Sequence, residues 1–350
     1  MTYDTLTSTL QAVGKSVHVV EMPGGTRVLL LPYGGRVLGL FGAGDDENYY
    51  WTNPALATSL SADVFYASAD WHNSGGDRTW LAPELDLFFP KYPDISSSGY
   101  FQPRQLDPGR YVIEHRNGTV RMVNRLSVAL YRAKTNAELE IRKWVTPAAN
   151  PLRHEKNERL LTVANYAGYT QHTAIAMLGG DATHIGLWNL IQMPHHGEMI
   201  IPFYVKTEPR VYFGTIAAHD LRLSDRAIYW RMTAQGEQKI GVRATVATGR
   251  VGYRYGSGDS STLIIRNFVV DPSGEYIDVP WDDAEDAGYS VQACNVSSRW
   301  GEFSELEYHV PAIGRGSGRM KCEDVSQVWG FRGPSDVIDQ VMATLLCPST

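Results

Sequence analysis

Short apolar runs follow one another along most of the chain, split at close intervals by Gly, Pro, Asn and Asp. Residues 16–21, 26–31 and 36–42 are strand-like segments parted by Pro23-Gly24-Gly25 and Gly34-Gly35, a hairpin-rich opening. Residues 111–116 and 119–134 continue the pattern around Asn117-Gly118, a hairpin turn signal. The second of these is long for one strand, and Asn124-Arg125 marks a bend or bulge within it. In 138–146 the residues Leu139, Ile141, Lys143 and Val145 alternate onto one side. Residues 159–166, 170–178, 198–205, 210–215, 227–233, 240–246, 261–269 and 289–295 also read as strands. Helical periodicity is confined to the two ends. Leu6, Leu10 and Val13 share one face near the start. Val337, Ile338, Val341, Met342, Leu345 and Leu346 do so near the end, with Ser335 as N-cap. Many strands at short intervals define an antiparallel sandwich or barrel rather than a parallel α/β sheet. No composition shift or internal repeat marks a boundary, so 1–350 is read as one β-domain.

Charge and cysteine content exclude several functions. The formal net charge is −6, against the basic face that nucleic acid or an anionic membrane surface demands. No run approaches the roughly 20 apolar residues of a membrane span, and the first 15 residues lack the pattern of a signal peptide. Cys294, Cys322 and Cys347 are odd in number and widely spaced, which fits a reducing compartment, and a cytoplasmic location is expected. No phosphate-cradling loop, dinucleotide fingerprint or nucleophile elbow occurs, and no cofactor is implied.

Three stretches carry chemistry-bearing side chains. Residues 67–84, read as a loop, gather Trp71, His72, Asp77, Arg78, Trp80 and Glu84 around Gly75-Gly76. An Arg among tryptophans can donate several hydrogen bonds to hydroxyls or a carboxylate, and the aromatic faces can stack on sugar C–H groups; the alternative is a structural Arg–Asp pair with packed indoles. Residues 184–202 hold His184, then Trp188, Asn189 and Gln192 on an apolar stretch, then a His195-His196 loop suited to proton transfer near neutrality. His195, His196 and Glu198 lack the spacing of a helical zinc motif, and no metal is assigned. In 301–311, Phe303, Glu305, Glu307 and His309 share one face of a strand, and that face is either a cleft wall or a solvated surface. A fourth, acidic stretch, Trp281-Asp282-Asp283 with Glu285 and Asp286, lacks the EF-hand pattern and reads as a solvated loop.

In order, G-G-R-V-L-G-L-F-G (34–42), E-N-Y-Y-W-T-N-P (47–54), G-G-D-R-T-W-L-A-P-E (75–84), W-N-L-I-Q-M-P-H-H-G (188–197) and E-L-E-Y-H-V-P (305–311) resemble a branch of the galactose mutarotase-like superfamily over 16–311. The resemblance implies an all-β supersandwich of antiparallel sheets with short terminal helices and a sugar cleft on one sheet. It implies aldose 1-epimerase-like chemistry on a sugar or glycoside. A late glutamate, Glu305 or Glu307, takes the anomeric hydroxyl proton. A histidine, His184, His195 or His196, protonates the ring oxygen. His72, Arg78, Trp80, Trp188, Asn189, Gln192 and His309 hold the substrate. Fold alone does not fix function, so a glycoside lyase or hydrolase and a non-catalytic sugar-binding domain stand beside this reading.

Overall fold

The structure, a computed structural model, describes residues 1–116 and 118–347. Among these residues the strands form two large sheets, antiparallel throughout, of nine and ten strands. The nine-stranded sheet runs in the order His18–Glu21, Arg27–Leu31, Arg36–Phe41, Asp77–Ala82, Gly186–Pro194, Gly301–His309, Tyr289–Ser298, Gly236–Arg243, Arg210–Phe213. The ten-stranded sheet is centred on Ser260–Asn267, Lys321–Pro334, Asn165–Gly180 and Thr135–Pro147. This is the all-β supersandwich that the resemblance implied, and the sandwich rather than the barrel of the two forms that the run of short strands left open.

The inner faces of the two sheets pack against each other over a core that includes Leu187, Ile191, Leu306, Ile264 and Val328. Polar contacts also cross the interface. Asp77 on the nine-stranded sheet accepts from Arg266 Nη1 (2.8 Å), Lys143 Nζ (3.2 Å) and Tyr169 Oη (2.7 Å) on the other. Tyr308 Oη donates to Asp324 Oδ2 at 2.5 Å and Tyr253 Oη to Ser304 Oγ at 2.9 Å. The C-terminal helix Ser335–Leu346 lays Val337, Ile338, Val341 and Leu345 on the outer face of the ten-stranded sheet, against Leu263, Ile265 and Phe331. The helix Tyr3–Ala12 covers one end of the other outer face, with Leu6 and Leu10 on Leu29, Leu31 and Leu38. The middle of that outer face is left for other side chains.

The local readings need several corrections. Residues 159–166 are not a strand. Asn157 accepts from the Arg159 amide and caps a short helix, Glu158–Thr162, and the strand begins only at Asn165. A further helix, Ser59–Ala67, is capped by Thr58, so helix is not confined to the ends. Residues 67–84 are a loop only as far as Gly76; Asp77–Ala82 is a central strand. All six of its residues are buried, so it shows no polar/apolar alternation to read. Gly75 (φ 99°) and Gly76 (φ 75°) do turn the chain into it, and a Cβ there would stand 2.4 Å and 2.3 Å from backbone oxygens. The 119–134 run ends at Leu130, and its pairing with Thr135–Pro147 shows no register break at Asn124-Arg125. The hairpin there forms with Arg116 opposite Thr119; Asn117 lies outside the described residues. Ser335 is the first helical residue rather than the cap, and its hydroxyl pairs with Ser261 Oγ at 2.8 Å.

Candidate functional site

Antiparallel register determines which side chains meet on the free outer face, because directly opposed residues point to the same side. One row across four strands is Lys239, Cys294, Glu305, Gln192. The next is Gln292, Glu307, Leu190, Arg78, and a third is His309, Trp188, Trp80. Chain excursions close over these rows. The segment after Ala82 brings Glu84, Tyr100, Gln102 and Asp107, the segment before Tyr289 brings Asp278 and Trp281, and Trp300 comes from the turn before Gly301. The result is an aromatic slot with about 630 Å³ of empty space.

Ion pairs and hydrogen bonds fix the polar side chains. Glu305 Oε1 accepts from Arg78 Nη2 (2.8 Å) and Gln192 Nε2 (3.0 Å). The Arg78 guanidinium lies 4.0 Å from the centre of the Trp80 ring and 5.0 Å from that of Trp71. Both indole N–H groups donate to Asp107 Oδ2 at 3.0 Å, and Arg36 Nη2 pairs with the same oxygen at 2.7 Å, so a buried ion pair orients two walls of the slot. Lys239 Nζ stands 3.4 Å from Glu84, 3.5 Å from Glu307 and 3.8 Å from Asp278, over the Trp188 ring. Burial works against the charge on Lys239, but the three carboxylates outweigh it and hold its pKa above the ordinary value.

Glu307 is fully buried. Its Oε2 accepts from Trp188 Nε1 at 2.8 Å, and its Oε1 has no hydrogen-bond partner in the protein. Burial pushes its pKa up to about 8; Lys239 opposes the rise and Glu305 and Glu84 add to it. The folded chain therefore binds a proton that the unfolded chain releases near the ordinary value of 4.5. That contribution to stability is complete below 4.5 and is lost as pH rises towards about 8. Across that window the melting temperature of the wild type should fall relative to Glu307→Gln, whose amide does not titrate. Parallel melting curves would show that Glu307 ionises normally.

Of the residues singled out in the sequence, the structure brings Trp71, Arg78, Trp80, Glu84, Trp188, Gln192, Phe303, Glu305 and Glu307 together, with His309 beside them. His309 stacks on Trp188 (ring centroids 5.6 Å), and burial, with Lys239 nearby, drives its pKa well below the ordinary value. The others lie elsewhere. Asn189 points to the inner face, bonding Thr79 and Tyr308, because it is one residue out of step with Trp188. His195 Nε2 donates to Asn295 Oδ1 (2.8 Å) and is neighboured by His196 beyond the strand end; neither lines the slot. His184 faces Glu275 at 3.3 Å on the outside, and His72 is held by Tyr33 and Ser68 among Phe65 and Tyr66. The acidic 281–286 stretch is clamped by arginines: Arg210 pairs with Asp282 and Asp286, and Arg243 with Asp286, while Trp281 turns inward to donate to Glu84 at 3.2 Å.

Lys239, Asp278, Cys294 and Asp107 escaped the sequence reading as site residues. Alternation along Gly236–Arg243 would have set Lys239 on one face with Glu237, but nothing local says that this face is buried. Ligand atoms of Cys294, Glu305 and Glu307 lie within 4.8 Å of one another and could meet at one metal ion. Both carboxylates already hold cationic partners, and burial pushes the Cys294 thiol well up, so an ion there would compete with Arg78, Lys239 and a proton.

Fold and slot together define an all-β supersandwich protein with an acidic, aromatic-walled site on the outer face of its nine-stranded sheet. The chain belongs to a family of unknown function, DUF6786, whose sequence profile matches residues 1–349. No curated protein is matched by the sequence. Among solved structures it is similar to a candidate aldose 1-epimerase from Klebsiella pneumoniae (9% identity, 95% of this chain and 83% of that one, TM-score 0.48). It is also similar to a galactose 1-epimerase from Lactobacillus acidophilus (8%, 91% and 95%, 0.39). A third is a TPR-domain containing protein from Parabacteroides distasonis (12%, 89% of this chain, 0.42), of which the chain spans about half, 46%. These are distant similarities of shape. No helix among the described residues is long and apolar enough to cross a membrane.

Proposed function

We propose that the slot binds a free sugar and interconverts its anomers by proton transfer between Glu305 and Glu307. The observation that carries the reading is the pair itself: two buried glutamates on one strand face, with closest oxygens within 4.8 Å and in contrasting surroundings. Glu305 is paired with Arg78, while Glu307 is pushed by burial towards its protonated form, with a free oxygen in the slot. Contrasting carboxyl groups supply a base and an acid. The Glu305 carboxylate takes the O1 proton, C1=O1 forms, the C1–O5 bond breaks, and Glu307 protonates O5. After rotation about C1–C2, O5 re-attacks C1 and both protons return. O1 and O5 share one carbon, so acid and base need to stand side by side, as these do. The histidines expected for the acid lie outside the slot, and the role passes to Glu307. A glycoside hydrolase instead needs its carboxyl groups on opposite sides of the scissile bond, whereas Glu305 and Glu307 stand side by side on one strand face.

The test is anomer exchange of a panel of free aldoses, followed by NMR or polarimetry. Catalysed exchange of at least one sugar is expected. Uncatalysed rates for every sugar, with sugar binding intact, would move the reading to a non-catalytic binding domain.

A further inference from the structure

The wall of the slot carries four glutamates, Glu84, Glu237, Glu305 and Glu307, against two cations, Arg78 and Lys239. With Glu307 held protonated by burial, that leaves three carboxylates against two cations near pH 6, an excess of one negative charge, with Asp278 behind Lys239 adding another. Both cations have carboxylate partners within the wall, with only Arg78 Nε left without a hydrogen bond. Arg78 is spent on Glu305 and the indole faces, and Lys239 on three carboxylates. An anionic ligand group would therefore meet wall cations that are already neutralised, inside a ring of carboxylates. A cationic group would meet the opposite. Glu307 Oε1 is buried on the wall and has no partner. Glu237 is held by Ser298 Oγ at 2.7 Å and brings no cation of its own. The faces of Trp71, Trp80, Trp188, Trp281 and Trp300 add a surface that attracts cations and stacks on the C–H faces of a sugar.

We propose that the slot selects a sugar carrying a protonated amine, over its neutral and anionic counterparts. This rests on the sugar-binding reading above and narrows it to a substrate class. The unpartnered Glu307 oxygen and Glu237 are the groups that would receive the ammonium. Charge-assisted hydrogen bonds of this kind are shorter and stronger than those a hydroxyl makes.

Tryptophan fluorescence of the full chain provides the test, because indoles line the slot. The probes are D-glucosamine and D-galactosamine, the parent hexoses, their N-acetyl derivatives and the corresponding uronates, at about pH 6, where an amine is protonated. In at least one series the amine should bind about tenfold tighter than the parent and N-acetyl sugars, with the uronate weakest, as one strong charged contact implies. Glu237→Gln, at the less buried part of the wall, should cut that advantage by roughly two- to fivefold; Glu307→Gln should cut it further. Equal binding of amine and parent, or tightest binding of the uronate, overturns the charge selection and leaves sugar binding standing. No response to any sugar overturns the sugar reading itself, and this inference with it.

Discussion

Glu305→Gln should lower the rate of anomer exchange by about 10²–10⁴-fold, the range that one positioned acid or base contributes. Gln keeps the shape of Glu and an oxygen for Arg78 Nη2, now 2.8 Å from the carboxylate, so sugar affinity should change only a few-fold. The loss should fall on the turnover step, because an amide cannot accept the O1 proton. Glu307→Gln should lower the rate comparably, for the complementary reason that no proton reaches O5. The two variants should differ in pH dependence. With Glu307 intact, the rate should decline as pH rises through about 8 and the acid is deprotonated. A Glu305→Gln protein that folds, binds sugar and turns over at the wild-type rate would sink the assignment. The measurement is anomer exchange by NMR with circular dichroism on each variant, since Arg78 is buried and loses its counterion.

Asp77→Ala should destabilise the protein by about 3–5 kcal/mol, the cost of breaking a buried ion pair from one side. Asp77 is fully buried and is the carboxylate between Arg266 and Lys143 where the two sheets meet. Burial alone would raise its pKa, but Arg266 and Lys143 outweigh that and hold it below the ordinary range. Burial already pushes Lys143 down to about 8, and without Asp77 it should lose its proton more readily still. Arg266 has no such escape and would be left charged in the core. Asp77→Asn should recover little, because it restores shape and hydrogen bonds but no charge. Joint replacement of Asp77, Lys143 and Arg266 by apolar residues of similar volume should regain much of the loss. Urea unfolding of the three proteins checks this, and an Asp77→Ala midpoint equal to wild type would show that the cluster contributes nothing net. Arg78 and Trp80 are on the same strand as Asp77, so the cluster also anchors the strand that carries one wall of the slot.

How much was legible follows from where each signal comes from. Turn residues and alternating runs are local, so the sandwich class, the terminal helices and most of the strands could be read directly. So could the shared face of Phe303, Glu305, Glu307 and His309, because strand periodicity alone orients alternate side chains. The same rule, applied to Gly186–Pro194, separates Trp188 and Gln192 from Asn189, but only once the segment is known to be a strand. That segment and Asp77–Ala82 are covered on both faces, which erases alternation and leaves them looking like apolar stretch and loop.

Which strand neighbours which was beyond local reading. Lys239 meets Glu307 because Gly236–Arg243 pairs with Tyr289–Ser298, which pairs with Gly301–His309. Glu84 and Asp278, 194 residues apart, are tied by one hydrogen bond, which the Glu84 backbone N–H donates to Asp278 Oδ1. Adjacent histidines drew attention in the sequence, yet the strand Gly186–Pro194 ends before them, and His195 turns away to Asn295. The chain itself determined the elements, the class of fold and the face on which the two glutamates stand, because those depend on neighbours within a few residues. Tertiary structure alone decided that this face is walled in by distant segments, and that Lys239 and Arg78 each take a carboxylate. Burial and long-range pairing come from contacts between distant parts of the chain, and they set the charge and proton affinity of the site.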